Sequence, residues 1–424
     1  MDLQVSAPDR VEAGHVLLLG TLGSYRLRPF LDAAAQLGVR ASTAVDMPWE
    51  LAGDGRHGHG FPFAEVETCV DLIDGLHRTL PLNAILAVDD SGSLLAAAAS
   101  LELGLPHNSP EAALAASDKH RMRQVLAESG LNCPRFQLVT ADMNPLDAAA
   151  DVGFPLIIKP LGANGSQGVM RIDNPEELPK VVARLAAIIG SDPGQRRSDF
   201  LMESYIPGVE VAVEALAHGS ALTVLAIFDK PDPLEGPFFE ETIYVTPSRL
   251  AADTQESVRR STQRAAAALG LGFGPIHAEM RINDNGVWIL ELAGRSIGGL
   301  CSRTLRFDTG VSLEALILQQ ACGLSLSLHR NRDTAQGVMM IPIPESGILC
   351  AVDGVCNAEA VDMVNDVEIS ALPGTSLKAL PEGNSYLGFI FANGPHPESV
   401  EQALRDAHAC LDIRIEPEIP LVAG

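Results

Sequence analysis

The feature that most constrains the fold is an alternation of short apolar runs with helical segments over the first hundred residues. The run at 15–20 is apolar and stops at a glycine, residues 29–38 have apolar side chains at helical spacing, and 39–45 is again extended. A further apolar run at 84–88 precedes a helix rich in alanine and leucine. Strands that alternate with helices predict a parallel sheet covered by helices on both faces.

Beyond this region the pattern changes to consecutive strands. A single helix is predicted over 111–129, and short strands at 154–159 and 169–172 then flank a glycine-rich stretch. Two hairpins and a tail of short strands with one helix follow. We therefore predict an α/β (α+β) chain divided into an N-terminal parallel α/β domain at 1–108, a small subdomain at 109–206, an antiparallel-sheet domain at 207–332 and a C-terminal subdomain at 333–424.

The charge balance excludes several classes of partner. The chain has 30 basic and 54 acidic residues, a net charge of −24, which repels phosphate backbones and anionic lipids, so neither nucleic acid nor membrane is expected as a partner. No apolar run approaches the ~20 residues needed to cross a bilayer. The N-terminus lacks the basic and apolar regions of a secretory signal. Seven cysteines without a CxxC pair indicate reduced thiols and a cytoplasmic protein.

A glycine-rich loop at 159–168 is the first candidate for binding chemistry. Lys159 opens it, and Gly162, Ser166 and Gly168 lie within it, between two predicted strands. Backbone amides of such a loop can enclose phosphate oxygens while the lysine supplies a point charge. The loop lacks the GK[ST] ending of a P-loop and is also compatible with an ordinary hairpin loop.

A pair of carboxylates is predicted from the hairpin at 276–293. A three-residue loop at 284–286 places Glu279 opposite Glu291, and it also pairs Met280 with Leu290 and Ile282 with Trp288 on an apolar face. Directly opposed carboxylates are destabilising unless a cation lies between them, and a hard ion such as Mg²⁺ or Mn²⁺ suits oxygen ligands best. The alternative is a solvated acidic stripe.

Two further segments belong near this pair. Arg295 follows Glu291 on the same face of the strand by alternation, where its guanidinium can meet an anionic substrate or a metal-bound phosphate. Tyr205 and Ile206 precede a proline-glycine bend whose exposed backbone could contact an adenine edge, and Glu210 beyond the bend could accept ribose hydroxyls.

The segments 117–123, 154–160 and 203–210, followed by the Glu279/Glu291 hairpin, together resemble the ATP-grasp superfamily over nearly the whole chain. Within it they look like the carboxylate–amine ligase branch that includes the bacterial L-amino acid ligases, or dipeptide synthetases. The resemblance implies ATP and a divalent metal as cofactors, with 109–206 as the ATP-binding lid and 207–332 as the catalytic grasp domain. It assigns phosphates to Lys119 and Lys159, the adenine pocket to Glu203, Tyr205 and Ile206, ribose to Glu210, and a phosphate-covering loop to 162–168.

Two positions depart from the pattern of the superfamily. Ala293 stands where many members have an asparagine metal ligand, which leaves one or two metal ions open. In the segment 239–247, which resembles the substrate loop of the ligase branch, Glu241 holds the acidic position and Tyr244 replaces an expected histidine.

The resemblance implies an ADP-forming ligase that joins a small carboxylate to an amine through an acyl phosphate, with Arg295, Lys159 and Glu241 as its catalytic side chains. An amino acid is the expected substrate. An ATP-dependent carboxylase that works through carboxyphosphate and a non-catalytic nucleotide-binding regulatory protein are the alternatives. A homodimer is one possibility for its assembly.

Overall fold

The computed structural model describes residues 13–51, 58–191, 198–307, 310–326, 328 and 334–418. The N-terminus examined for a signal (1–12) and the predicted boundary at 332/333 lie outside the described residues.

A four-stranded sheet in the order β3-β2-β1-β4, with parallel pairing throughout, forms the N-terminal region. Its elements are β1 (His15–Gly20), α1 (Leu27–Leu37), β2 (Arg40–Asp46), β3 (His59–Phe61), α2 (Val66–Thr79), β4 (Ala84–Ala87) and α3 (Ser93–Glu102). Val16 and Leu18 pack into one apolar cluster with Phe30 of α1, whereas Leu17 and Leu19 pack into another with helices α2 and α3. The predicted parallel sheet with two covered faces is confirmed.

The single helix predicted at 111–129 is wrong, because the chain forms two helices that meet at Asp118. These are α4 (Pro110–Ser117) and α5 (Lys119–Glu128). Asp118 has an extended backbone, and its carboxylate accepts hydrogen bonds from the backbone amides of His120 and Arg121 as the N-cap of α5. The cap divides the segment into two helices, but the apolar side chains on both sides of it keep a helical spacing in sequence. The sequence pattern therefore did not reveal the break.

A second sheet of four antiparallel strands follows, in the order β5-β8-β6-β7. Its elements are β5 (Phe136–Val139), α6 (Pro145–Val152), β6 (Leu156–Pro160), β7 (Met170–Ile172), α7 (Leu178–Ser191) and β8 (Phe200–Ser204). The two helices pack on one face of the sheet around Leu156, Ile158 and Met202. The glycine-rich stretch is the loop between the antiparallel strands β6 and β7.

The remaining chain builds one large sheet and two small ones. The elements before residue 300 are β9 (Val209–His218), β10 (Ala221–Asp229), β11 (Ile243–Thr246), α8 (Ala252–Leu269), β12 (Phe273–Asn283) and β13 (Gly286–Ala293). The later ones are β14 (Arg306–Phe307), β15 (Val311–Ser312), α9 (Leu313–Ala321), β16 (Ala335–Ile341), β17 (Gly347–Asp353), α10 (Val355–Glu359), β18 (Val364–Ile369), β19 (Ser376–Leu377), β20 (Gly388–Gly394), α11 (Pro397–Ala409) and β21 (Asp412–Glu416).

The large sheet has eight antiparallel strands in the order β13-β12-β9-β10-β11-β16-β20-β18. It runs across the predicted boundary at 332/333, because β11 pairs directly with β16. A separate sheet, β19-β17-β21, lies in the C-terminal region. The C-terminal subdomain is therefore joined to the preceding region by backbone hydrogen bonds.

In the β12–β13 hairpin, the predicted register is wrong near the loop but correct at the pair of Glu279 and Glu291. Its loop has two residues, with Asn283 opposite Gly286, so the predicted pairs of Met280 with Leu290 and of Ile282 with Trp288 are wrong. Met280 lies opposite Ile289, and Ile282 lies opposite Val287. An irregularity beside Leu290 then shifts the register by one residue and restores the predicted pairing of Glu279 with Glu291. The carbonyl of Leu290 accepts a hydrogen bond from the buried guanidinium of Arg123, which explains the position of the bulge.

Candidate active site

A cavity of about 380 Å³ lies where the three larger sheets meet, and its size is typical of a small-molecule site. It collects most of the residues singled out in the sequence, namely Lys119, Lys159, Ser166, Glu203, Tyr205, Ile206, Glu210, Glu241, Glu279, Glu291 and Arg295. Gly162 and Gly168 are not among its lining residues. The predicted residues that meet in this cavity are up to 176 positions apart in sequence, from Lys119 to Arg295.

At one end of the cavity, Lys159 is held by a buried carboxylate. Its Nζ lies 2.6 Å from Glu203 Oε2, and Arg123 Nε lies 2.6 Å from Glu203 Oε1. Burial opposes the charged form of Glu203, but Arg123 and Lys159 hold its pKa below the usual range. Burial lowers the pKa of Lys159 in spite of this partner. The carboxylate of Glu203 thus orients two cations, a role that the sequence did not reveal.

Tyr205 and Ile206 line the cavity next to this triad. The Tyr205 ring lies between two guanidinium groups, with its centroid 4.3 Å from Arg171 Cζ and 5.1 Å from Arg281 Cζ. Such cation–π contacts fix the ring plane. The Tyr205 ring and the Ile206 side chain give this part of the cavity an apolar wall.

The second lysine bridges the glycine-rich loop and the acidic hairpin. Lys119 Nζ donates a hydrogen bond to the carbonyl of Ala163 at 2.7 Å and lies 3.7 Å from Glu291 Oε1. Its backbone amide donates to the carbonyl of Leu161 at 3.1 Å. The break at Asp118 is thus what brings the N-terminus of α5 against the loop.

The loop itself is held from outside by the C-terminal region. The amide of Gly168 donates to the carbonyl of Pro381 at 2.9 Å, and Gln167 Nε2 donates to the carbonyl of Glu382 at 2.9 Å. Gly168 therefore uses its amide within the protein in this structure. Ser166 adopts a left-handed conformation, with φ at 56°, and faces the cavity.

In the middle of the cavity, three carboxylates share one ammonium group. Lys230 Nζ lies 2.7 Å from Glu210, 2.6 Å from Glu241 and 3.1 Å from Glu279. Burial and the neighbouring Glu279 raise the pKa of Glu241 to about 7. Burial also opposes ionisation of Glu279, but Lys230 holds its pKa well below the usual range. Sequence reasoning missed Lys230, which directly follows the strand β10 and belongs to no quoted motif.

The same carboxylates are candidate ligands for a metal ion. Oxygen atoms of Glu210, Glu241 and Glu279 lie within 4.8 Å of one another, and Glu291 faces Glu279 across the hairpin. Glu279 and Glu291 keep 19% and 28% of their side chains exposed toward the cavity. Hard oxygen donors that remain accessible in this way fit Mg²⁺ or Mn²⁺.

Two guanidinium groups, those of Arg295 and Arg26, also line the cavity. Arg295 Nε lies 2.7 Å from Asp90 Oδ2, and Arg26 donates to the carbonyls of Ser296 and Ile297. Burial opposes the charge on Arg295, yet Asp90 raises its pKa above the usual value. Burial and the nearby Arg295 lower the pKa of Arg26. A substrate carboxylate or phosphate can be bound between these groups.

Other walls come from C-terminal positions that carry no readable motif and from Tyr244 of the segment 239–247. Met340, Asn384 and Tyr386 reach the cavity from the C-terminal region. Tyr244 is buried, and its hydroxyl lies 3.4 Å from Glu279 Oε1. Their role depends on the sheet shared with the C-terminal region, which short-range spacing does not specify.

Two family models match parts of the chain. Residues 152–304 match the family model of the ATP-grasp domain, and residues 339–416 match L-amino acid ligase C-terminal domain 2. Residues 152–304 are therefore similar to the ATP-grasp domain, and the C-terminal region is similar to a domain described for L-amino acid ligases. Across the described ranges, no helix is long and apolar enough to cross a membrane.

Individual proteins are similar to this chain in fold or in part of the sequence. The crystal structure of an L-amino acid ligase from Bacillus licheniformis has a TM-score of 0.80 at 23% identity and covers 95% of this chain and 99% of that one. A D-alanine–D-alanine ligase from Cupriavidus pinatubonensis is 26% identical over 245 residues, 54% of this chain and 71% of the relative. An uncharacterized protein from Sinorhizobium fredii is 25% identical over 313 residues, which cover 74% of this chain and 64% of that relative.

Proposed function

We propose that the protein is an ADP-forming carboxylate–amine ligase that activates an amino acid as an acyl phosphate and joins it to an amine. The observation that carries the proposal is the cavity itself. It combines two lysines beside a glycine-rich loop, accessible opposed carboxylates and two guanidinium groups. This set of charges suits a nucleoside triphosphate together with a carboxylate substrate.

The nucleotide end would be organised by the lysines. Lys159 and Lys119 bind phosphate oxygens, Ser166 and its loop cover them, and Tyr205, Ile206 and Glu210 bind the nucleoside. Glu279 and Glu291 would hold Mg²⁺, which when bound draws negative charge away from the phosphates. Catalysis in this half consists mainly of positioning and charge neutralisation.

The substrate end would be organised by Arg295. Its planar guanidinium holds the substrate carboxylate while one carboxylate oxygen attacks the γ-phosphorus and the bond to ADP breaks. An amine nitrogen then attacks the acyl carbon and loses a proton, and inorganic phosphate leaves with the electron pair of the broken C–O bond. Arg295 and Arg26 would stabilise the negative charge in both steps.

Glu241 is the natural partner of the ammonium group of an amino acid. Around it, five charged groups lie close together, namely Glu210, Glu241, Glu279, Lys230 and Arg281, and the ring of His277 lies 3.6 Å from Glu214 and 3.7 Å from Glu279. With Glu241 ionised, these five groups leave one negative charge in excess. A substrate ammonium would neutralise it.

The test is a matrix of amino acids and related acids, scored for ADP release and for product mass with Mg²⁺ present. At least one pair should give ADP, phosphate and a product lighter than its two substrates by one water. ADP release that depends on bicarbonate alone would instead support the carboxylase alternative. Nucleotide binding without turnover over the whole matrix would support a regulatory protein.

We further propose a cytoplasmic location, and a homodimer is one possible assembly. Light scattering of the purified protein tests the second point, and a mass near the 44.8 kDa of one chain would exclude the dimer.

A further inference from the structure

Lys230 is a nearly fully buried charge beside the carboxylates in the middle of the cavity. Its side chain is 3% exposed, and it follows directly after β10, so its backbone is fixed by the sheet and by a hydrogen bond to the carbonyl of Glu210 at 3.3 Å. It lies behind the three carboxylates, which line the cavity while Lys230 does not. Substrates therefore meet the carboxylates and not the ammonium.

Each of the three N–H donors of the Lys230 ammonium group can be used by a neighbouring carboxylate. A lysine has three N–H donors, and three carboxylates lie within 3.1 Å of this nitrogen. The same three carboxylates form the one group of described acidic, histidine and cysteine side chains with the spacing of a metal site. A protein cation thus lies among oxygens that could otherwise hold a divalent ion.

We infer that Lys230 is a positioning residue that acts as a fixed internal cation. It keeps Glu241 and Glu279 in place for their separate ligands and prevents a divalent ion from drawing Glu210, Glu241 and Glu279 together. The consequences for substrate rest on the proposed function. The consequence for metal binding does not, since it depends only on the geometry of the cluster.

The first experiment measures Mn²⁺ binding to the nucleotide-free protein by electron paramagnetic resonance of free Mn²⁺. Lys230→Met should gain one site that binds Mn²⁺ at least tenfold more tightly than any site of the parent. The double variant Lys230→Met/Glu241→Gln should lose the gained site. Lys230→Arg keeps the cation and should behave like the parent, as should Lys180→Met, which removes an exposed lysine of α7. Equal Mn²⁺ binding by parent and Lys230→Met would overturn the inference.

Loss of a buried cation from three carboxylates could prevent folding, so a second readout is needed. If Lys230→Met is unstable without metal, millimolar Mn²⁺ should raise its melting temperature more than that of the parent, because a ligand that binds only the folded state stabilises it. Glu241→Gln added to Lys230→Met should remove the extra rise. A melting temperature that does not respond to Mn²⁺ would contradict the inference equally.

Kinetics then separate positioning from simple structural support. In any folded Lys230→Met protein, KM for the amino acid should rise at least tenfold while KM for ATP changes less, and Lys230→Arg should recover part of the loss. A uniform fall in active protein with both KM values unchanged would show that Lys230 serves only stability. An absence of ligase activity in the parent would refute the proposed function and leave the Mn²⁺ experiment valid.

Discussion

The ammonium group of Lys159 already has a partner within the protein, because the carboxylate of Glu203 lies 2.6 Å from it. We predict that Lys159→Ala loses a charge-assisted phosphate contact of about 1.5–3 kcal/mol, which weakens ATP binding roughly ten- to a hundredfold. Calorimetric titration with ATP measures the change. Lys180→Ala, at an exposed position of α7, is the matched control and should leave the affinity unaltered. An unchanged affinity in Lys159→Ala would remove this residue from the nucleotide site.

Glu279 and Glu291 give a second prediction at the same scale. Glu291→Gln should abolish Mg²⁺-dependent turnover and leave the fold intact, because it removes one of two like charges that oppose each other on neighbouring strands. ADP release and the far-ultraviolet circular dichroism spectrum report the two effects. The control is Glu398→Gln at an exposed position of α11. Near-normal turnover in Glu291→Gln would show that this carboxylate does not hold the metal.

The positions of single side chains were predicted with uneven success. Alternation along a strand predicted that Glu279, Glu291 and Arg295 share one site, and all three line the cavity, although a bulge was needed for the Glu279–Glu291 pairing and Arg295 lies beyond the end of β13. It could not reveal that Glu203 serves Arg123 and Lys159, since those contacts join residues from three different elements. The roles in binding and catalysis stay predictions.

The junction of α4 and α5 carries a prediction at the scale of elements. Asp118→Ala removes an N-cap, which should lower the free energy of unfolding by about 1 kcal/mol and also weaken ATP binding, because Lys119 begins the capped helix. Asp118→Asn caps about as well and should keep most of both properties. Chemical denaturation and ATP titration of the two variants supply the comparison. Equal stability of Asp118→Ala and the parent would contradict the capping role.

Elements were predicted best where the apolar period is unbroken. The parallel sheet and the strands on either side of the glycine loop are confirmed. They could be predicted because a strand buried on both faces has a continuous apolar run, and a strand buried on one face has alternating apolar residues. The β12–β13 loop was predicted one residue too long, and a bulge at Leu290 restored the predicted pairing of Glu279 with Glu291. The carbonyl of Leu290 accepts a hydrogen bond from Arg123, a residue far away in sequence. Local sequence patterns do not show such a contact.

The shared eight-stranded sheet gives a prediction for the whole molecule. A chain that ends at residue 332 lacks β16, the partner of β11, and it lacks the helix α11 that packs on the same strands. Ile243 and Val245 of β11 belong to an apolar cluster whose other members lie in the C-terminal region. We expect the shortened protein to aggregate through this open edge and to show no cooperative unfolding. Size-exclusion chromatography and thermal melting test this expectation, with a chain that ends at residue 418 as the control.

The arrangement of the whole molecule was the least accessible from sequence. Four regions were predicted in order along the chain, but nothing in their spacing showed that strands from two of them pair in one sheet. Tyr386 and Asn384 reach the cavity because of that pairing and went unnoticed. Long-range strand pairing depends on the packing of the complete fold, whereas short windows of sequence report only local geometry.

The pairing of β11 with β16 also limits how such proteins can exchange parts. A hybrid gene that joined residues 1–332 of this protein to the C-terminal region of a relative would have to match a strand edge, an apolar cluster and the contacts of Gly168 and Gln167 at once. Recombination at the boundary between the two matched family domains would therefore be penalised, although their sequence signatures are separate. New substrate ranges should arise more readily by point substitution at cavity positions such as Tyr386 than by the exchange of whole domains.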